Sequence, residues 1–191
     1  MNPLLIRPYV TALNAYFRWI KAPLSKLTSR FAPGAPADKL PTFQSLDEYV
    51  AWMGQKLRWR SDGLGGVWDT FPSLDHMAWQ LEHKGYIEDD CDGLAYFSAT
   101  MVKPFADREC DVYVVTIVLN PRYMPLNQAA HVICVFRSGG AWRVISNTEL
   151  YPRRYATFAE AVHENPYTRG QEVKLVETRD AELRLVPAPQ D

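Results

Sequence analysis

Cys91, His131 and Asn147 have the types and the chain order that covalent catalysis by a thiol requires. A thiol nucleophile needs a base that takes up its proton and a third polar group that orients the base. We expect Cys91 to attack a carbonyl carbon, and His131 to accept the thiol proton and later pass it to the leaving group. The amide of Asn147 would hold the His131 imidazole in one tautomer without adding a charge.

The residues around Cys91 predict the first turn of a helix. Asp89 or Asp90 can cap it, because a short carboxylate accepts hydrogen bonds from the N–H groups of the first turn. The apolar pattern that follows is typical of a core helix, which we expect to end near Lys103, before Pro104. A helix N-terminus favours the thiolate form of a cysteine. The neighbouring carboxylates oppose that form, so a thiolate requires that they point outward as caps.

His131 opens the first of two apolar segments that predict a β-hairpin, residues 130–136 and 142–146. It is the only one of the four histidines that lies in an apolar strand pattern. The other three fall on predicted surface helices, where we expect them to be solvated: His76, His83 and His163. The alternative to a catalytic base is a core histidine that bonds to a backbone carbonyl.

The register of this hairpin decides which residue faces His131. A two-residue turn at Gly139-Gly140 places Ser146 on the His131 face. A three-residue loop that begins at Ser138 pairs His131 directly with Asn147, and it also matches an aromatic residue with an aromatic across the hairpin. The second register therefore favours Asn147 as the orienting group, with Ser146 as the alternative third member.

Three segments together resemble the transglutaminase-like cysteine peptidase group of the papain-like superfamily, in its bacterial or phage form. They are residues 65–74 (GGVWDTFPSL), 90–95 (DCDGLA) and 131–135 (HVICV). The resemblance covers about residues 45–150. It implies a papain-like α+β core in which the nucleophile helix packs on an antiparallel sheet. The group usually has an aspartate at the third position, where this chain has Ser146 and Asn147.

The resemblance also bears on the oxyanion hole and on cofactors. Such sites often use an aromatic donor beside the backbone N–H of the cysteine, and Trp68 is our candidate for that donor. The alternative is a tryptophan that packs the cleft wall. Chemistry of this kind needs no metal and no organic cofactor.

The predicted elements around the site are helices followed by antiparallel strands, which is typical of an α+β domain. Ser45 and Glu48 form a capping box at the start of one helix. A second helix begins at Ser73 and ends near Gly85. Further elements are a buried strand at 112–119, a loop at 122–128, a short helix at 157–164, and a final hairpin from 172–178 and 182–186.

Composition indicates one globular domain with a basic N-terminal arm. The chain has 191 residues, of which 47% are hydrophobic, and a net charge of −1. Residues 1–37 hold five basic side chains and no acid, so the remainder carries a net charge of −6. We divide the chain into a helical arm with a Pro/Ala linker at residues 1–41 and a transglutaminase-like domain at residues 42–191. The arm, at residues 4–31, either folds back on the body or binds another protein or an anionic surface.

Several other classes of protein do not fit the sequence. The three cysteines are an odd number, and Cys110 and Cys134 fall in or beside apolar strands, which favours buried thiols in a reducing compartment. We find no signal peptide and no membrane span, so we expect a cytoplasmic or virion-associated protein. The spacing of zinc, calcium and phosphate-loop motifs is absent. The acidic body argues against nucleic acid.

Two functional hypotheses follow. The first is a thiol hydrolase or acyltransferase that acts on peptide or protein amides or isopeptides, with peptidoglycan peptides as a substrate that the resemblance implies. The second is an assembly or interaction protein that keeps the fold with a weak or silent site and docks through its basic arm.

Overall fold

The computed structural model describes residues 33–61, 73–123 and 126–190, together with four residues near the N-terminus. Those four have helical backbone: Pro8, Thr11, Ala12 and Ala15. The rest of the predicted arm at residues 4–31 and the candidate oxyanion-hole donor Trp68 lie outside the described residues, so both remain predictions.

The described residues form a mixed α+β structure, as the order of the predicted elements indicates. The helices are α1 (Leu46–Lys56), α2 (Leu74–Lys84), α3 (Cys91–Val102), α4 (Leu126–Ala129) and α5 (Phe158–His163). Two 3-10 turns lie at Ala37–Lys39 and Lys103–Phe105. The strands are β1 (Leu57–Trp59), β2 (Ile87–Asp89), β3 (Val112–Leu119), β4 (Ala130–Ser138), β5 (Ala141–Ser146), β6 (Glu149–Leu150) and β7 (Val173–Asp180).

Side-chain caps begin α1 and α2 at the predicted residues. Ser45 Oγ accepts a hydrogen bond from Glu48 N at 3.1 Å, which satisfies an N–H group that has no partner within the helix. Ser73 caps α2 in the same way. Gly85 ends α2 with a φ of 76°, a left-handed conformation that glycine adopts without steric cost.

Five antiparallel strands form the main sheet, in the order β6-β5-β4-β3-β7. Strands β3 to β6 are neighbours in chain order, and β7 returns to the other side of β3. The buried strand predicted at residues 112–119 is confirmed as β3, inside the sheet. The short strands β1 and β2, which the sequence pattern does not predict, pair in parallel just before α3.

Different elements cover the two faces of the main sheet. Cys134 and Phe136 of β4 point toward α3, whose side chains join them in one apolar cluster. Ile133 and Val135 point to the opposite face and pack with Phe158 of α5. Helix α3 is therefore the core helix that its apolar sequence predicts, and it lies on one side of the sheet only.

The β4–β5 hairpin has the register of a two-residue turn, so the preferred prediction of a three-residue loop is wrong. Arg137 pairs with Trp142, and the turn residues Gly139 and Gly140 have φ values of 62° and 76°. Two successive left-handed residues match the twist of the strands, and glycine takes that conformation at little cost. The expected pairing of Phe136 with Trp142 fails because their side chains lie on opposite faces of the sheet.

The predicted C-terminal hairpin is present only in its first strand. Residues 182–186 form no strand and contribute a single bridge, between Arg179 and Leu185. Leu183 has a φ of 63°, which is incompatible with extended backbone. The Asp180 carboxylate accepts hydrogen bonds from the N–H groups of two of the next four residues, so the chain turns sharply at the end of β7.

Two local predictions also need correction. The loop expected at residues 122–128 contains the start of α4, and Cys110 is exposed rather than buried. Cys134 is buried, as expected. Within the described ranges, no helix has both the length and the apolar character needed to cross a bilayer.

Candidate functional site

Cys91 is the first residue of α3, as predicted, and it is partly buried. The N-cap is Asp90, whose Oδ1 accepts hydrogen bonds from Asp92 N at 3.2 Å and from Gly93 N at 3.3 Å. Asp89 Oδ1 accepts a hydrogen bond from Asp90 N at 2.9 Å. Of the two candidate caps, Asp90 therefore caps the helix, and Asp89 braces the backbone of the cap.

The carboxylates at the mouth of α3 do not point outward. Asp90 is 9% exposed and Asp92 is 8% exposed. Asp89 lies against the first helical turn, since a Cβ atom on Gly93 would be 2.2 Å from Asp89 Oδ2. Buried carboxylates oppose the ionisation of a neighbouring thiol, whereas the helix dipole favours it. The two effects act on Cys91 in opposite directions.

His131 lies at the start of β4 with its imidazole held by the neighbouring strand. His131 Nε2 and Ser146 Oγ are 2.8 Å apart. Burial lowers the pKa of His131 to about 4, because desolvation disfavours the charged imidazolium. The side chain is therefore neutral at pH 7. In the tautomer in which Nε2 carries the hydrogen and donates to Ser146 Oγ, Nδ1 is the nitrogen that can accept a proton.

Asn147 does not orient His131, which corrects the preferred prediction. It follows the end of β5 with a φ of 52°, in the turn that leads to β6. Its Oδ1 is buried and has no hydrogen-bond partner among the described residues. The two-residue hairpin turn shifts β5 so that Ser146, the alternative third member, meets His131 instead.

Tyr167 is a neighbour of this site that the sequence analysis missed. Its ring centroid is 4.7 Å from that of His131, with the two planes inclined at 54°. Burial and, to a lesser degree, the nearby Cys91 raise the pKa of Tyr167. Tyr167 therefore contacts His131 and lies within electrostatic range of Cys91. No spacing signal marks it, because it follows α5 in a turn whose contacts are set by the tertiary fold.

The strand alternation of β4 shows on which face of the sheet His131 lies. Alternate residues of a strand point to opposite faces, so His131 shares its face with Ile133, away from the body of α3. Cys91 belongs to the first turn of the helix on the other face. Tyr167 is related to both residues, since its ring contacts His131 and it lies within electrostatic range of Cys91.

Among the described residues, neither the Cys134 thiol nor the acidic side chains offer a competing centre. Burial raises the pKa of the Cys134 thiol, which leaves it unreactive. In the portion of the chain that the structure describes, no group of three or more His, Cys, Asp or Glu side chains is arranged to hold a metal ion.

In comparisons with protein-family models, curated proteins and solved structures, no match to this chain was found. The family resemblance of the three sequence segments therefore stays a hypothesis.

Proposed function

We propose that this protein is a transglutaminase-like thiol enzyme in which Cys91 is the nucleophile, His131 the base and Ser146 the group that orients the base. The observation that carries the proposal is the position of Cys91. It begins a capped core helix and lies in electrostatic range of Tyr167, whose ring contacts His131. A thiol at a helix N-terminus and a histidine held by a third polar group are two features of an activated nucleophile, which also needs the thiol and the imidazole within hydrogen-bond reach.

The proposed reaction is acyl transfer from a peptide or protein amide. Cys91 Sγ attacks the carbonyl carbon, and the thiol proton passes to His131 Nδ1. The C–N bond then breaks, and the amine leaves with the proton that His131 returns. Water or an amine next attacks the thioester and releases Cys91. The backbone N–H of Cys91 is one donor to the oxyanion, and Trp68 is the proposed second donor.

The resting site is expected to hold a neutral thiol and a neutral imidazole. Moving a proton from an ordinary thiol, with a pKa of about 8.5, to an imidazole with a pKa of about 4 costs about 6 kcal/mol. A thiolate at Cys91 would itself raise the pKa of His131, because opposite charges stabilise one another. Turnover therefore depends on a substrate that excludes water and brings the two groups into full contact.

One observation favours the second hypothesis, a weakly active or non-catalytic assembly protein that docks through residues 4–31. The group that orients His131 is a hydroxyl, which stabilises an imidazolium less than a carboxylate does. The low pKa of His131 agrees with this hypothesis, because it means that the imidazole is rarely protonated near neutral pH.

Acylation by p-nitrophenyl acetate distinguishes the two hypotheses. The experiment uses a Cys110→Ser background, since Cys110 is exposed, and intact-mass and peptide mass spectrometry. The enzyme hypothesis predicts an acetyl thioester on Cys91 that forms at least about 100-fold more slowly in His131→Ala. Equal acylation rates in both proteins, or acetylation spread over surface lysines, would favour the non-catalytic protein. Cys91→Ser is the control for the labelled position.

A further inference from the structure

Tyr167 contacts His131 through a ring that covers one side of the imidazole. The centroids are 4.7 Å apart, and the inclined planes place the two rings in van der Waals contact. His131 is bound on its Nε2 side by Ser146. The tyrosine ring thus covers part of the His131 imidazole.

A buried amide fixes the backbone that carries Tyr167. Asn165 is fully buried, and its Nδ2 donates to the carbonyl groups of Ala161 and Val162, each at 2.9 Å, at the end of α5. Asn165 Oδ1 accepts from Tyr167 N at 3.0 Å and from Thr168 N at 3.3 Å. The amide therefore has all of its donors and acceptors engaged, which sets the direction of the chain at Tyr167.

The Tyr167 hydroxyl makes a second connection to the His131 strand. It donates a hydrogen bond of 3.0 Å to the backbone oxygen of Gln128, in the short helix that leads directly into β4. One side chain thus contacts the His131 ring and the backbone three residues before it.

We propose that Tyr167 is a positioning residue for His131, shielding the imidazole with its ring and fixing the approach to β4 with its hydroxyl. This inference rests on the proposed role of His131 as the base. By excluding water from one side of the imidazole, Tyr167 keeps His131 neutral until substrate binds.

The test is the pKa of His131, measured by NMR from the imidazole carbon and proton shifts as the pH is varied. Tyr167→Ala should raise that pKa by at least one unit, toward the ordinary histidine value of about 6.5. Tyr167→Phe keeps the ring and should leave the pKa within a few tenths of the wild-type value. Tyr113→Ala is the matched control, since Tyr113 packs against Trp142 and Phe158 in the same cluster. It should not change the pKa of His131.

A folded Tyr167→Ala protein in which His131 keeps its wild-type pKa would overturn the proposal. So would a rise in the His131 pKa in Tyr113→Ala that equals the rise in Tyr167→Ala. If Tyr167→Ala does not fold, wild-type spectra decide the question. Cross peaks between the ring protons of His131 and Tyr167 support the proposal, and their absence in assigned spectra contradicts it. These readouts do not require activity. Failure of Cys91 to acylate would refute the proposed enzyme and leave the link between Tyr167 and His131 intact.

Discussion

Among the described residues, the Ser146 hydroxyl is the side-chain group hydrogen-bonded to His131 Nε2. Ser146→Ala should slow acylation of Cys91 and lower the free energy of unfolding by about 1 kcal/mol, because a buried hydrogen bond is lost. Asn147→Gly is the matched control one position away. Glycine accepts the φ of 52° at that position, so the variant should keep both stability and acylation rate.

The opposite result, slow acylation in Asn147→Gly and normal acylation in Ser146→Ala, would restore the amide as the orienting group. Chemical denaturation followed by the acylation assay measures both quantities on the same preparations.

Residue types and chain order named Cys91, His131 and the Ser146/Asn147 pair as candidates. They were not enough to choose between the last two, since a shift of one position in the hairpin exchanges their faces. Cross-strand matching of aromatic residues favoured the wrong register. The register is set by the two-residue turn, in which both glycines have left-handed backbone. Tyr167 was beyond prediction, because its contact with His131 joins positions 36 residues apart along the chain.

At the scale of elements, the start of α3 has a position, Gly93, where a Cβ atom fits only if the Asp89 carboxylate moves. A Cβ atom at residue 93 would lie 2.2 Å from Asp89 Oδ2 and 2.4 Å from its Cγ. Gly93→Ala should therefore displace the Asp89 carboxylate and lower the free energy of unfolding by about 1–3 kcal/mol. Gly54→Ala in α1 is the control, because nothing lies within 4 Å of its added Cβ.

Gly54→Ala should raise stability by about 0.5–1 kcal/mol, the usual gain when alanine replaces glycine inside a helix. Urea unfolding of both variants measures the difference. If Gly93→Ala proved as stable as Gly54→Ala, the close packing of Asp89 on the first turn of α3 would be refuted.

Element prediction succeeded where a local signal was strong. The capping serines Ser45 and Ser73 and the carboxylate pair before Cys91 marked three helix starts correctly. The strands β1, β2 and β6 were not predicted, since two or three residues are too few to show a period. Their pairing depends on where the helices around them pack.

At the scale of the whole molecule, His131 makes stability depend on pH. Its pKa is about 4 in the folded protein against 6.5 for the ordinary side chain, so the unfolded chain binds more protons below pH 6.5. Stability should therefore fall as the pH decreases from 6.5 toward 4, by at most about 1.4 kcal/mol per pH unit. The carboxyl groups of Glu172 and Asp180, whose pKa values are lowered, contribute mainly below pH 4.5.

Denaturation midpoints between pH 6.5 and 4.5 therefore isolate the histidine. His131→Gln keeps an amide that can bond to Ser146 and has no charge to gain, so its stability should change less over this range. In His163→Gln, at an exposed position, stability should change with pH as it does in the wild type. If the stability of His131→Gln changed with pH as much as that of the wild type, the imidazole would not be held neutral by burial.

The coupling of Cys91 to His131 is tested most directly by the rate at which iodoacetamide alkylates Cys91 as a function of pH. The measurement uses Cys110→Ser protein, with and without His131→Ala, and peptide mass spectrometry. We predict that at pH 7 Cys91 is labelled several-fold faster when His131 is present, because the imidazole accepts the thiol proton as the new bond to sulfur forms. Identical rates in the two proteins, both rising only near the free-thiol pKa of about 8.5, would contradict the proposed enzyme.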